Sequence, residues 1–172
     1  MVELASIRSR NGENMEDRYL FKAKRLDNGE WVQGNLIQSC DATDGWESII
    51  IPVKNNNMFT KHIGHGYGNL GFENWYRVNP STICQCTGLK DKNGKLIWEN
   101  DIVDGHDKRG AAFLNCLVLW NESKARFDVR AKGCNFPMTL DEVAGDMSVG
   151  GLDYEVVGNR FDNPELLELL EV

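Results

Sequence analysis

The chain lacks most of the features that mark a membrane protein, a secreted protein or a metal enzyme. No apolar run approaches the 18 residues typical of a membrane-spanning helix, and residues 1–18 contain no hydrophobic segment of the signal-peptide kind. There are three histidines, and the five cysteines have no disulfide-framework spacing, which favours reduced thiols. These absences predict a cytoplasmic protein.

Basic residues are outnumbered in this sequence. The chain holds 19 Lys and Arg against 26 Asp and Glu, which gives a net charge of −7. Because phosphate contacts need clustered basic side chains, this charge argues against nonspecific binding to nucleic acid and against binding to anionic membranes. The densest basic cluster is Lys22, Lys24 and Arg25, and it is interpreted as the solvated face of a strand. Hydrophobic residues make up 41% of the sequence, enough for a packed core.

Hairpin signals are the strongest feature that the chain does have. Asn93-Gly94 is typical of a type I′ turn, which needs positive φ at both central residues, and it lies between strand-like segments within residues 87–103. A similar turn signal occupies residues 27–30. Residues 113–120 are predicted to form the strongest strand of the chain, with Leu114, Cys116, Val118 and Trp120 on one face. The pattern predicts a mainly β protein.

Residues 86–103, CTGLKDKNGKLIWENDIV, also resemble the hallmark of the YopX-like proteins, which occur in bacteriophages and prophages. Residues 21–37 resemble the opening strands of that family, and residues 154–170 resemble its closing strand and helix. One departure is Asn100, where the family pattern has Gly before Asp-Ile-Val, and we expect it to alter only a local turn. The resemblance implies an origin and a fold, and it implies no specific biochemical activity.

Together these signals predict two small β modules. Residues 1–18 are expected to form a flexible arm, residues 19–80 the N-terminal module, and residues 81–172 the C-terminal module. The second module is predicted to be an SH3-like barrel with a short terminal helix, an expectation helped by the family resemblance. Residues 61–74 contain four glycines, so we expect no regular structure there.

Three motifs were weighed as candidate metal or phosphate sites. Cys84 and Cys86 are separated by one residue, whereas structural zinc sites usually space their cysteines by two to four, so packing as small apolar side chains is favoured. His62 and His65 are not placed on one face of a predicted helix, and no acidic residue lies between them as in a zinc-protease motif. A solvated loop is therefore favoured over a metal site. The glycines of residues 64–68 lack the Lys-Ser/Thr of a phosphate-binding loop.

No recognisable catalytic constellation is present. Asp101 and Asp104 lie near a predicted strand, and they are interpreted as turn stabilisers that accept hydrogen bonds from nearby backbone amides. The sequence therefore predicts no catalytic residues, no metal or cofactor site, and no cofactor. A third hypothesis stays open: an enzyme that uses His62, His65, His106 or the cysteines.

The first functional hypothesis is a non-enzymatic phage or prophage protein that acts through protein–protein binding, as a homo-oligomer. Its candidate partner-binding residues are Trp46, which is flanked by polar residues, and His65 and Tyr67 in the glycine-rich segment. The alternative is a nucleic-acid-binding regulator built on a small β-barrel, which the net charge disfavours. It would require a basic face beside an exposed tryptophan such as Trp46 or Trp75.

Overall fold

The structure of the chain is a computed structural model. It describes residues 15–41, 45–54, 56–62, 68–106, 112–131, 138–140 and 154–168. Side chains are described for most of these residues; the exceptions are residues 15–16, 40–41, 45–46, 61–62, 68–70 and 168. The described part is mainly β and built from antiparallel sheets, which confirms the predicted fold class at that level. The chain divides into two compact units: the first is Tyr19–Gln85, and the second combines Met1–Arg18 with Cys86–Val172.

The first unit contains a sheet with strand order β6-β3-β2-β1-β7. Its strands are β1 (Phe21–Lys24), β2 (Trp31–Asp41), β3 (Gly45–Ile51), β6 (Tyr76–Arg77) and the start of β7 (Cys84–Lys90). The core of this unit consists of buried side chains from one face of the sheet and its neighbourhood, namely Ala23, Ile50 and Val78, with Phe21, Val32, Leu36 and Ile83 packed against them. Every strand pair in this sheet is antiparallel, including the pairs β1–β7 and β3–β6, whose strands are not consecutive in the chain.

A separate two-stranded ribbon also belongs to the first unit. Strand β4 (Met58–His62) pairs with β5 (Gly68–Phe72) in a continuous antiparallel register. The expectation that residues 61–74 lack regular structure is therefore wrong for Lys61 and His62 at the end of β4 and for the five residues of β5. The ring of Phe59 lies against Gly71, so an aromatic side chain supplies the cross-strand contact that the glycine cannot make itself.

The second unit contains a five-stranded antiparallel sheet in the order β12-β11-β10-β9-β13. Its strands are β9 (Asp101–His106), β10 (Ala112–Asn121), β11 (Arg126–Arg130), β12 (Met138–Thr139) and β13 (Glu155–Asn159). The end of β7 forms a hairpin with β8 (Leu96–Trp98), and helix α1 covers Glu165–Glu168. The core of this unit is built from buried side chains of several strands, namely Ile97, Val103, Cys116, Val118, Val129, Leu140, Tyr154 and Val156.

The predicted hairpin at Asn93-Gly94 is present, but the predicted type I′ turn is wrong. Gly94 has φ +79°, whereas Asn93 is not among the residues with positive φ, so this is not a type I′ turn. The Gly94 amide donates to the Asp91 carbonyl at 2.9 Å, and the Asp91 amide donates to the Lys95 carbonyl at 2.8 Å. The loop is therefore one residue longer than predicted, with the glycine in the left-handed position that follows a tight turn.

Candidate functional site

The polar residues of the hallmark segment bind backbone groups of the second unit. Asp91 is buried, and its Oδ1 accepts hydrogen bonds from the amides of Asn93 and Lys95 at 2.8 and 2.9 Å. Its Oδ2 accepts from the amide of Val156 at 3.1 Å. The Lys92 amide donates to the Tyr154 carbonyl at 2.8 Å. One carboxylate thus joins the hairpin turn to β13, far away in sequence.

The next polar group of the hallmark makes a tight turn between β8 and β9. Asn100 has φ +65°, in the left-handed region where glycine costs least and asparagine is the better tolerated alternative. This geometry explains why Gly suits the family pattern at this position and why Asn can replace it. The Asn100 carbonyl accepts from the Arg160 amide at 3.0 Å, and its side-chain oxygen accepts from Arg160 Nη1 at 3.1 Å.

The sequence predicted that Asp101 and Asp104 stabilise turns. Asp101 lies in the hallmark segment and Asp104 directly follows it, and both accept hydrogen bonds from backbone amides. Oδ2 of the fully buried Asp101 accepts from the Trp98 amide at 2.9 Å. Oδ1 of Asp104 accepts from the Asn115 amide at 2.7 Å, at a residue of β10 with positive φ. The contact of Asp101 confirms its interpretation as a turn stabiliser. Asp104 was expected to act in the same way, but it bonds across to β10, at a residue eleven positions further along the chain.

Gly88, the glycine of Thr-Gly-Leu in the hallmark segment, occupies a position that other residues would fit poorly. It has φ +79°, and a Cβ at this position would overlap Cγ and Cδ of Arg18. The stem of Arg18 therefore lies directly against the backbone of β7. The polar groups of the hallmark segment therefore hold the second unit together.

The most conspicuous surface of the first unit lies at the base of the ribbon. Asn56 Nδ2 donates to the carbonyls of Pro52 and Asn74 at 3.0 and 2.8 Å, and its Oδ1 accepts from the Asn74 amide at 2.8 Å. This side chain fixes the two points where the chain enters and leaves the ribbon. A second tie joins Asn57 Nδ2 to Glu73 Oε2 at 2.7 Å.

Exposed apolar side chains surround this base. Met58 is 67% exposed and Phe59 is 50% exposed, and they project from opposite faces of β4 because they are adjacent in a strand. Val53 and Trp75, which follow the two carbonyls held by Asn56, are 48% and 52% exposed. We call Val53, Met58, Phe59 and Trp75 the ribbon surface. Sequence reasoning missed it because the glycines of β5 were interpreted as a loop.

The predicted partner-binding residues are only partly within the described structure. The backbone of Trp46 lies in β3 opposite Cys40, but its side chain is outside the description. His65 and Tyr67 also lie outside the described residues, in the connection between β4 and β5.

The candidate metal ligands do not assemble in the described part of the chain. Cys84, Cys86 and Cys116 are buried, as expected of cysteines that pack as small apolar side chains. The described residues contain no group of three or more His, Cys, Asp or Glu side chains suited to a metal ion. Nor do they include a helix of the length and hydrophobicity needed to cross a membrane.

A shallow cleft of about 270 Å³ lies beside the β10–β11 hairpin. Its most buried polar group is Asp128, whose carboxylate accepts from Asn121 Nδ2 at 2.6 Å and from Arg126 Nε at 2.8 Å. Trp120 at its rim is 41% exposed and meets Phe127 edge to face, with 5.0 Å between ring centroids. Both oxygens of the buried carboxylate are thus bonded within the hairpin.

The architecture defines a mainly antiparallel β protein with a structural hallmark segment. The chain belongs to the YopX family, because the family model described as YopX protein matches residues 20–168. This confirms the resemblance found in the sequence. The crystal structure of protein EF1440 from Enterococcus faecalis is similar, with a TM-score of 0.50 and 23% identity, covering 86% of this chain and 96% of that chain. At this identity the likeness shows a shared fold alone. No curated protein matches the chain.

Proposed function

We propose that this chain is a non-enzymatic protein of phage or prophage origin that acts by protein–protein binding, with the ribbon surface as its interface with a second copy. The observation that carries the proposal is the ribbon itself. Strands β4 and β5 pair with each other and with no other strand in the described part of the chain, and apolar side chains are exposed on both faces. The phage origin is supported by the YopX resemblance.

The physical argument begins with the stability of the ribbon. An isolated two-stranded antiparallel pair is marginal in water, and three or more strands or a packed face are needed for independent stability. Each ribbon strand also has an outer edge whose amides and carbonyls can pair with another strand. The hydrogen bonds of Asn56 at the base hold the ribbon, and with it such an edge, in a defined place. This favours association, because less conformational freedom is lost on binding.

A second copy is the partner that the ribbon fits best. The segments Met58–His62 and Gly68–Phe72 contain one lysine, one histidine and no acidic residue, so they offer little charge with which to select an oppositely charged partner. They also create little repulsion between identical copies. Two ribbons related by a two-fold axis can pair edge to edge and antiparallel, giving a four-stranded sheet.

The non-enzymatic part of the proposal is supported by the polar groups of the hallmark. Asp91, Asn100 and Asp101 are buried and bonded to backbone amides or to Arg160. Catalytic acids and bases need access to a reacting group, and these carboxylates are occupied in holding the fold together.

The SH3-like barrel remains part of the proposal for the second unit. Its support is the strand order, in which the last strand β13 lies beside the first strand β9 and the remaining strands follow as a meander. Register shifts between Phe113 and Cys116 and between Val156 and Gly158 mark bulges, which bend strands as closure requires. An experimental structure in which this sheet stays open would contradict it.

The ribbon interface is tested by a matched pair of charge substitutions. Met58→Glu places a carboxylate on the ribbon surface, whereas Leu26→Glu changes a similarly exposed side chain, 62% against 67%, in the turn after β1. Sedimentation velocity over a range of protein concentrations should show an oligomer that Met58→Glu weakens at least tenfold and Leu26→Glu leaves unchanged. A wild-type monomer at every concentration, or equal behaviour of both variants, would overturn the proposal.

A further inference from the structure

The hydrogen bonds of the ribbon decide which backbone groups face its outer edges. The Glu73 amide donates to the Asn57 carbonyl at 2.9 Å, and the register of the ribbon places these two residues opposite each other. Because hydrogen-bonded and non-hydrogen-bonded positions alternate in an antiparallel pair, Phe59 and Lys61 bond to β5. The amides and carbonyls of the remaining β4 residues point away from β5, namely those of Met58, Thr60 and His62.

The outermost strands of the two larger sheets offer no comparable edge. Strands β6, β8 and β12 contain two, three and two residues, and short edge strands resist pairing with another chain. The edge of β13 is occupied by side chains, because the Val156 amide donates to Asp91 Oδ2 at 3.1 Å. At the other end of β13, the Asn159 amide donates to Asn163 Oδ1 at 3.3 Å. The outward groups of β4 bond to no strand in the described part of the chain.

Of the two ribbon strands, β4 is the better template for a further strand. Its sequence, Met-Phe-Thr-Lys-His, includes an aromatic and a β-branched residue, which favour strands. The sequence of β5, Gly-Asn-Leu-Gly-Phe, includes two glycines, which weaken strands, and an asparagine, which is depleted in them. The first three side chains of β4 are also exposed. An added strand is therefore expected at β4 rather than at β5.

We propose that two copies of this chain pair through β4, antiparallel, with the two-fold axis at Thr60. This inference rests on the proposed ribbon interface and specifies the strand and the register through which it forms. With the axis at this position, Thr60 is opposite the partner's Thr60, and Met58 is opposite the partner's His62. All β4 residues with outward groups then form hydrogen-bonded pairs, each with two bonds. The result is a continuous four-stranded sheet in the order β5-β4-β4-β5.

The neighbouring registers are less favourable. An axis between two residues would place outward groups opposite groups that already bond to β5, so the axis has to pass through a residue. An axis at Phe59 would place His62 opposite the partner's Asn56, outside the strand, and backbone groups left unpaired in an interface are costly. An axis at Lys61 would place two lysines directly opposite each other, which is unfavourable. An axis at Thr60 instead pairs two threonines, a favourable cross-strand pair.

The strand is tested by single cysteine substitutions, oxidised under mild conditions and analysed on non-reducing denaturing gels. Residues opposite each other in a hydrogen-bonded pair have Cα atoms about 5.5 Å apart, within the range for a disulfide. Thr60→Cys should therefore form a covalent dimer. Leu70→Cys is the matched control, because Leu70 is directly opposite Thr60 on the other strand of the ribbon, and it should form at least tenfold less covalent dimer. The wild-type protein measures any cross-linking through the five native cysteines.

The register is tested by Phe59→Cys. In the proposed register Phe59 is opposite the partner's Lys61, so the two Phe59 positions are diagonal neighbours about 7–8 Å apart, beyond the usual reach of a disulfide. An axis at Phe59 would place them directly opposite each other. Phe59→Cys should therefore form at least tenfold less covalent dimer than Thr60→Cys.

Hydrogen exchange of the wild-type protein provides a second readout that needs no substitution. The outward amides of β4 should exchange at least tenfold more slowly at a concentration that favours the dimer than after dilution to the monomer. The outward amides of β5 should exchange equally fast under both conditions, namely those of Gly68, Leu70 and Phe72.

The outcomes separate this inference from the proposed function on which it rests. A wild-type dimer in which Leu70→Cys or Phe59→Cys cross-links in place of Thr60→Cys would overturn the register and leave the ribbon interface standing. A dimer whose outward β4 amides gain no protection would also overturn it. A wild-type monomer at every concentration would overturn both the ribbon interface and its register.

Discussion

The carboxylate of Asp91 accepts a hydrogen bond from the backbone amide of Val156, which lies 65 residues further along the chain. The same carboxylate accepts from two amides of its own turn. A single buried side chain thereby links the hallmark hairpin to the closing strand of the second unit. This link explains why the segments that identify the family come from distant parts of the sequence.

Removing the Asp91 carboxylate should strongly destabilise the protein. Asp91→Ala leaves three backbone amides without their acceptor, and we expect a loss of about 3–5 kcal/mol of unfolding free energy. Asp27→Ala is the control, because it removes an exposed carboxylate paired with Arg25 and should shift the unfolding midpoint far less. Urea unfolding monitored by tryptophan fluorescence measures both. Similar midpoints for the two variants would show that the long-range link does not stabilise the fold.

Gly88 and Gly94 have the same φ but different surroundings, so alanine substitutions at the two positions separate the cost of the backbone angle from the cost of steric overlap. Both have φ +79°, but a Cβ at Gly88 would overlap the stem of Arg18, while a Cβ at Gly94 would meet nothing within 4 Å. Gly94→Ala should therefore cost about 1–2 kcal/mol from its backbone angle alone, and Gly88→Ala should cost more. Adding Arg18→Ala to both variants should recover the excess at Gly88 only. Equal costs for the two single variants would contradict the packing of Arg18 on β7.

Tyr154 should make stability depend on alkaline pH. Its phenol is buried and its hydroxyl has no hydrogen-bond partner among the described residues. Burial, and to a lesser extent Cys116, raises the pKa of this phenol far above its usual value. The unfolded chain loses the phenol proton near pH 10, whereas the folded chain keeps it. The contribution of Tyr154 to the free energy of unfolding is therefore complete below about pH 10 and is lost as the pH rises further.

Tyr154→Phe isolates this effect. The variant should equal or exceed the wild type in stability at pH 7, since it removes a buried hydroxyl without a partner. Above pH 10 its stability should fall less steeply than that of the wild type. Unfolding free energies measured between pH 7 and pH 11 provide the comparison, and parallel pH curves would contradict the burial of a neutral phenol.

Asn56 should control the order of the ribbon. Asn56→Ala removes three hydrogen bonds to backbone groups at the base, whereas Asn57→Ala removes one exposed bond to Glu73. Hydrogen exchange in β4 and β5 should accelerate at least tenfold in Asn56→Ala and change little in Asn57→Ala. Protection of β1 and β2 should be unaffected in both. Unchanged protection of the ribbon in Asn56→Ala would show that other contacts hold it.

The features that the sequence could predict are those with local causes. The hairpin around Gly94 and the strand β10 follow from turn residues and from a run of apolar side chains, both of which act within a few residues. The family membership also follows from contiguous segments. The special turn at Asn100 was found as a departure from the family pattern, and its φ of +65° shows the backbone reason.

The features that escaped prediction depend on distant partners. The glycines of β5 indicated a loop, yet a strand forms because Phe59 lies over Gly71 and Asn56 holds the base. The acceptor role of Asp91 toward Val156 could not be inferred from spacing, because it requires the two segments to meet in the fold. The exposed apolar surface was missed for the same reason, since exposure is decided by tertiary packing.

The native mass of the purified wild-type protein shows most directly whether the ribbon joins two copies of this chain. Native mass spectrometry should give a species of twice the 19.5-kDa chain mass, with or without an oligonucleotide present. A mass of one chain at all accessible protein concentrations would contradict the claim.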